Sequence, residues 1–252
     1  MLIFTYQPQS LVNDIQEKGF ALVDTGKTNL ARLVNEGVGD VAFEAYKWMA
    51  KKMCQKTGLW MKDIYGPDLP LPKDEEGDYI ERNGEKMVLF PFWGWYLTDG
   101  KNQKPDPKIY CFDSEIMPEF NWNINQSKTK LLTLDIPEKY VLLSDANAWY
   151  CALEGRPCYD YETPNEEARL MKEDANEMRE FTLMPEMTKA QREMKAKAAD
   201  SIWAKREATW DNILRLEGRR ERIVFGVKER RDVQAVFPLI AKQWIISVDD
   251  VS

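Results

Sequence analysis

Pro91-Phe92-Trp93-Gly94-Trp95-Tyr96 is the stretch from which this chain is best read, because it sets four aromatic rings in five positions behind a proline. Side chains alternate along a strand. A strand here therefore puts Trp93 and Trp95 on one face and Gly94 on the other. Two flat rings on one face make a wall suited to a planar ligand. Met87 to Tyr96 as a whole reads as an aromatic strand bounded or interrupted by Pro91. Beyond it, Lys104-Pro105-Asp106-Pro107 forms a constrained turn leading into a predicted strand from Ile109 to Phe112.

Working outward, Leu2 to Tyr6 predicts a first strand ended by Pro8, followed by a helix from Leu11 to Lys18 with Ser10 as N-cap and Gly19 as its stop. Phe20 to Val23 predicts a further short strand. Val41 to Lys56 predicts a helix, since Phe43, Tyr46, Ala50 and Met53 recur at helical spacing, Trp48 and Met49 broaden that face, and Gly58 closes the run. Residues 65–84, rich in Pro, Gly, Asp and Glu, predict a surface excursion. Leu131 to Leu134 and Tyr140 to Leu143 predict strands on either side of Pro137. Residues 189–216 predict a long amphipathic helix on which Trp203 and Trp210, seven apart, lie near one another. Ile223 to Phe225, Gln234 to Phe237 and Trp244 to Val248 predict the closing strands. The expected fold is α+β: one domain over 1–252 with a mixed or mostly antiparallel central sheet and a long C-terminal amphipathic helix, because regular βα alternation is too poor for a doubly wound sheet.

Composition narrows the chemistry. The 252 residues contain no histidine, which excludes serine-histidine triads, histidine-ligated zinc and histidine proton relays. A net charge of -7 argues against a protein that coats nucleic-acid backbone. The basic residues between Arg219 and Arg231 are interleaved with glutamate, as on a solvated surface. Cys54, Cys111, Cys151 and Cys158 lack paired metal-ligand spacing, so a reduced, cytoplasmic chain is expected. Neither a signal peptide nor a run approaching the ~20 apolar residues of a membrane span is expected.

Carboxylates are then the leading candidates for chemistry. Asp145 and Asn147 follow a strand end, where polar groups are often turned toward ligands, although Asp145 equally suits an N-cap of the next helix, which carries Trp149. Asp106, Asp135 and Asp145 would form a two-metal nuclease site only if the fold brought them together.

Separated blocks also show a resemblance. Phe4-Thr5-Tyr6-Gln7-Pro8, Ala45-Tyr46-Lys47-Trp48-Met49, Phe92-Trp93-Gly94-Trp95-Tyr96, Lys104-Pro105-Asp106, Ile136-Pro137, Val141-Leu142-Leu143-Ser144-Asp145, Trp149, Thr209-Trp210-Asp211-Asn212-Ile213 and Val233-Gln234-Ala235-Val236-Phe237 span nearly the whole chain in order. Together they resemble the uncharacterised bacterial and phage family catalogued as domain of unknown function 3841. That family has a histidine after the tryptophan matched by Trp149, where this chain has Tyr150. The family name implies no reaction.

Two functional expectations follow. The first is a non-catalytic factor of bacterial or phage origin that captures a nucleotide or a host protein, with Trp93, Trp95 and Tyr96 as recognition surface and Lys104, Asp106, Asn147 and Trp149 around it. The second is a nucleotide-dependent transferase, loosely similar to ADP-ribosyltransferases. There NAD would stack on the aromatic block, Gln7 would orient a ribose or pyrophosphate, and Asp135 or Asp145 would stabilise the positive charge of a breaking glycosidic bond. The basic residue or histidine on the first strand and the late glutamate of such enzymes have no matched position here.

Overall fold

The computed structural model describes residues 1–23, 40–60, 89–110, 129–158, 169–176, 200–216, 223–224, 227–228 and 232–251. The chain opens with β1 (Leu2–Pro8) and turns directly into α1 (Gln9–Lys18). This helix starts two residues earlier than the Ser10 cap implied, with Pro8 at its entry and no side-chain cap. Gly19 ends it as expected: φ is 85°, in the left-handed region, and its N–H reaches the Ile15 carbonyl at 2.9 Å. β2 (Phe20–Ala21) follows. α2 (Asp40–Thr57) matches the predicted helix within a residue at either end, and Gly58 closes it at φ 72°. Met49, Ala50 and Met53 are fully buried on its inner face.

The aromatic block is β3 (Phe92–Leu97). Asp99 and Gly100, both at positive φ, then form a tight turn in which Thr98 and Lys101 exchange two backbone hydrogen bonds. The expected strand from Ile109 is absent. Pro107 to Tyr110 forms a single helical turn, α3 (Pro107–Tyr110), because the Asp106 carboxylate accepts from the Lys108 N–H at 2.9 Å and Pro107 occupies the first helical position. Residues 111 and 112 lie outside the described residues, as does the excursion at 65–84.

β4 (Thr129–Asp135), β5 (Leu142–Asp145) and α4 (Ala146–Leu153) come next, with Tyr140 in a 3-10 turn rather than in a strand. β6 (Ile223–Val224) and β7 (Val227–Lys228) form a separate two-stranded ribbon. The chain closes with β8 (Val233–Phe237), β9 (Ile240–Ala241) and β10 (Ile245–Asp250). Six strands make the central sheet in the order β10-β4-β1-β3-β8-β5, and the pairings from β10 through β8 are antiparallel. The coarse expectation, α+β on a central, largely antiparallel sheet, therefore holds.

The expected helix over 189–216 does not run through. Residues 189–199 lie outside the described residues, 200–209 are helical, and Trp210–Leu214 is a 3-10 turn. Side chains compete with the helical backbone here. The Thr209 hydroxyl donates to the Arg206 carbonyl at 2.6 Å and accepts from the Cys158 N–H at 2.7 Å, while the Trp210 ring nitrogen donates to the Arg156 carbonyl at 2.9 Å.

Two compact units emerge from the contacts, residues 1–144 with 220–252, and 145–219. In the first, one face of the sheet holds the apolar core. Ile3, Leu132, Leu134, Phe92, Ala235 and Phe237 point that way and meet Val12 and Ile15 of α1. Gly94 belongs to this face. A Cβ there would lie 2.6 Å from Ile3 Cγ2 and 2.9 Å from the Phe4 carbonyl oxygen, so only glycine lets the strands approach this closely. In the second unit, Arg206 grips Asp174 through two nitrogens at 2.8 and 2.9 Å and donates to the Gly155 carbonyl at 3.0 Å. Trp203 and Trp210 meet edge to face at 5.5 Å, as their spacing predicts.

Candidate functional site

The opposite face of the central sheet differs in chemistry. Because side chains alternate, the positions between the core residues point there: Phe4 on β1, Trp93 and Trp95 on β3, Gln234 and Val236 on β8, and Thr133 on β4. The register aligns four of them in one row across four strands, Thr133 opposite Phe4, Phe4 opposite Trp95, and Trp95 opposite Gln234. Ser247 of β10 extends the row beyond Thr133. Ser144 of β5 also faces this way, since its neighbour Leu143 packs against the core on the other face.

Trp93 and Trp95 are half-buried, and aromatic partners meet them. Tyr46 of α2 approaches Trp93 edge-on with centroids 5.9 Å apart, and Tyr110 of α3 approaches Trp95 at 4.8 Å. The segment that carries Tyr110 is itself tied to the sheet. The Tyr6 hydroxyl donates to the Pro105 carbonyl at 2.8 Å, and the Tyr110 hydroxyl donates to Asp232 at 3.0 Å. Asp232 also accepts from the Asp99 N–H at 2.7 Å.

Both faces carry buried polar side chains, but Thr5 on the apolar face is hydrogen-bonded to the Gln7 amide and the Trp93 carbonyl. Thr133 is only 6% exposed and Ser144 is fully buried. Among the described residues, the side-chain oxygens buried without a hydrogen-bond partner are Thr133 Oγ1, Ser144 Oγ and Gln234 Oε1, and strand alternation places all three on the tryptophan side. Each such atom costs about 1–3 kcal/mol when nothing bonds to it, so three on one face is unusual for a purely structural layer.

The residues expected from sequence divide between these settings. Trp93 and Trp95 share a face as expected. Tyr96 packs against the apolar core, at a β-bulge between the Trp95 and Leu97 pairings. Gln7 turns to the Thr5 side of β1, where its amide donates to the Thr5 hydroxyl at 2.8 Å and that hydroxyl donates to the Trp93 carbonyl at 2.6 Å. Lys104 pairs with Asp249 at 2.6 Å. Asp249's carboxyl is held below its ordinary value of 3.8, chiefly by the hydrogen bond from Lys104. Partial burial opposes that shift, and the Ser247 hydroxyl and the Lys104 charge reinforce it. Asp106 caps α3. Asp135 lies at the end of β4 with its side chain 73% exposed, in an ion pair with the Met1 amino group at 3.1 Å.

Asp145, Asn147 and Trp149 belong to the second unit. Asp145 caps α4 by accepting from the Ala148 N–H at 2.8 Å, which is the structural role its position allowed. Asn147 is half-buried and Trp149 is buried in the helix's inner face.

No protein-family model, curated protein or solved structure matches this chain. These comparisons give no support to the resemblance to the family catalogued as domain of unknown function 3841. No group of three or more Cys, Asp or Glu positioned to hold a metal ion occurs among the described residues, and no described helix is long and apolar enough to cross a membrane.

Sequence reasoning missed Ser144, Gln234 and Tyr110 as members of this face. Gln234 had a signal, a polar residue at the head of the apolar run Ala235 to Phe237. Tyr110 had none, since it was assigned to a strand that does not form. Tyr46 was assigned to a buried helix face, and only its contact with Trp93 connects it to this site.

Proposed function

We propose that this protein is a non-catalytic binding factor that holds a planar ligand, of which a nucleotide base is the leading example, against the Trp93 and Trp95 face. One observation carries the reading. The two tryptophans stand on the same face, half-buried, and each packs at a steep angle against a tyrosine ring. Trp95 is only part-buried on this face, and stacking of a base on such a ring is worth about 1–3 kcal/mol.

The carboxylates named for transferase chemistry have structural tasks, Asp135 in an exposed ion pair and Asp145 as a helix cap.

The test is a binding panel of NAD, ATP, adenosine, nicotinamide and a divalent-ion control, followed by thermal shift and calorimetry. At least one planar member should bind saturably and raise Tm by about 5 °C or more at a hundredfold excess over its Kd. Trp95→Leu and Trp93→Leu should each weaken that binding about tenfold or more while circular dichroism stays unchanged. Failure of every planar member to bind, or binding that persists in both variants, would sink the reading.

A further inference from the structure

The ring wall says that the ligand is flat, and the polar atoms beside it say more about its edge. We propose that the Trp95 end of this face recognises a neutral heterocycle bearing an amino or carboxamide N–H donor, with Gln234 Oε1 as the acceptor. This inference rests on the planar-ligand reading and narrows it.

Gln234 is the direct cross-strand partner of Trp95, so its side chain rises beside that ring on the same face. Its Oε1 is buried with no hydrogen-bond partner. A side-chain amide oxygen only accepts, so whatever satisfies Gln234 must donate. The amino group of an amino-substituted purine and the carboxamide of nicotinamide both supply such a donor.

The charge on this face points the same way. The ammonium of Lys104 is already held at 2.6 Å by Asp249, and the cross-strand row of Thr133, Phe4, Trp95 and Gln234 carries no cation. Recognition by neutral hydrogen bonds, with any phosphate left toward solvent, fits that composition better than a phosphate cradle. Thr133 stands three strand spacings from Gln234 in the row, roughly 14 Å, beyond the reach of a single ring system. It thus serves as an internal reference, a buried hydroxyl on the same face but outside the proposed contact.

Calorimetry on the full-length protein provides the test, using two matched pairs, adenosine with inosine and nicotinamide with nicotinate. The expected result is that adenosine or nicotinamide binds and that its partner, which lacks the amino or carboxamide donor, binds at least tenfold more weakly. Gln234→Leu should lose the same tenfold, and Thr133→Val should stay within twofold of the parent. Should Gln234→Leu fold poorly, Gln234→Met keeps the shape and removes the acceptor, and the matched-pair comparison on the parent protein needs no variant at all.

Equal binding within the pairs, or full binding by Gln234→Met, overturns this inference while leaving the planar-ligand reading intact as long as the Trp95 variant still weakens binding. Tighter binding of AMP than adenosine by tenfold or more also overturns it, because phosphate would then be the recognised group. Absence of binding by every planar probe overturns both.

Discussion

The two faces of the central sheet are built from the same strands and yet have opposite characters. On one, Ile3, Leu132, Leu134, Phe92, Ala235 and Phe237 close against α1, and the buried Thr5 among them has its hydroxyl hydrogen-bonded to Gln7 and to the Trp93 carbonyl. On the other, Thr133, Phe4, Trp95 and Gln234 stand in a single row, with aromatic rings between polar ends. The difference shows a division of labour along each strand. Alternate residues on the apolar face supply the burial that holds the sheet, at about 1.5–3 kcal/mol for each large aliphatic or aromatic side chain fully buried. Their neighbours are then free to include groups that a core would not tolerate.

That contrast has measurable consequences. The largest is Phe237→Ala, which empties a fully buried site stacked on Phe92 and should cost about 3–5 kcal/mol in urea denaturation. Trp95→Leu, on the other face, loses the Tyr110 ring contact and should cost about 0.5–1.5 kcal/mol. Equal losses for the two would break the contrast, since the tryptophan face would then be core as well. Next comes Gly94→Ala. Its methyl is driven against the Phe4 carbonyl, which belongs to the backbone and cannot turn aside, so a loss of about 1–3 kcal/mol is expected. A neutral result would mean that β1 and β3 can separate, and the register of the row would no longer be fixed by close approach.

The smallest effect belongs to the ion pair at the rim. Asp249's lowered folded value means that the pair contributes stability above the unfolded value, and that the contribution disappears as pH falls through the folded one. Both side chains are about half exposed, so solvent screening holds the pair to at most about 1 kcal/mol. Lys104→Ala should therefore flatten the acid side of the stability profile slightly and leave neutral-pH ligand binding within twofold. A larger loss of binding would place Lys104 in the recognition of the ligand.

Much of the fold was legible in local sequence. Gly19 and Gly58 end their helices where expected, and the helical spacing of Ala50 and Met53 located α2 within a residue. The alternation in Phe92-Trp93-Gly94-Trp95 gave the correct faces. The misreadings came where a cap or a distant partner outweighed local propensity. Ile109-Tyr110 looks like strand until the Asp106 carboxylate and Pro107 start a helical turn. The helix over 200–209 stops because Cys158 and Arg156 draw the Thr209 and Trp210 side chains into hydrogen bonds more than fifty residues away in sequence.

Sequence by itself determined that this chain is α+β, that histidine chemistry is excluded, and that two tryptophans flank a glycine on a strand. These follow from composition and from periodicities of two and 3.6 residues, which are local properties. Only the tertiary structure decided that Gly94 is pressed between Ile3 and Phe237, that Tyr46 and Tyr110 frame the tryptophans, and that Gln234 stands beside Trp95. The physical reason is strand register. A pairing between residues 95 and 234 is fixed by the hydrogen bonds of a whole ladder and by the shape of the core beneath it, and no short window of sequence contains either.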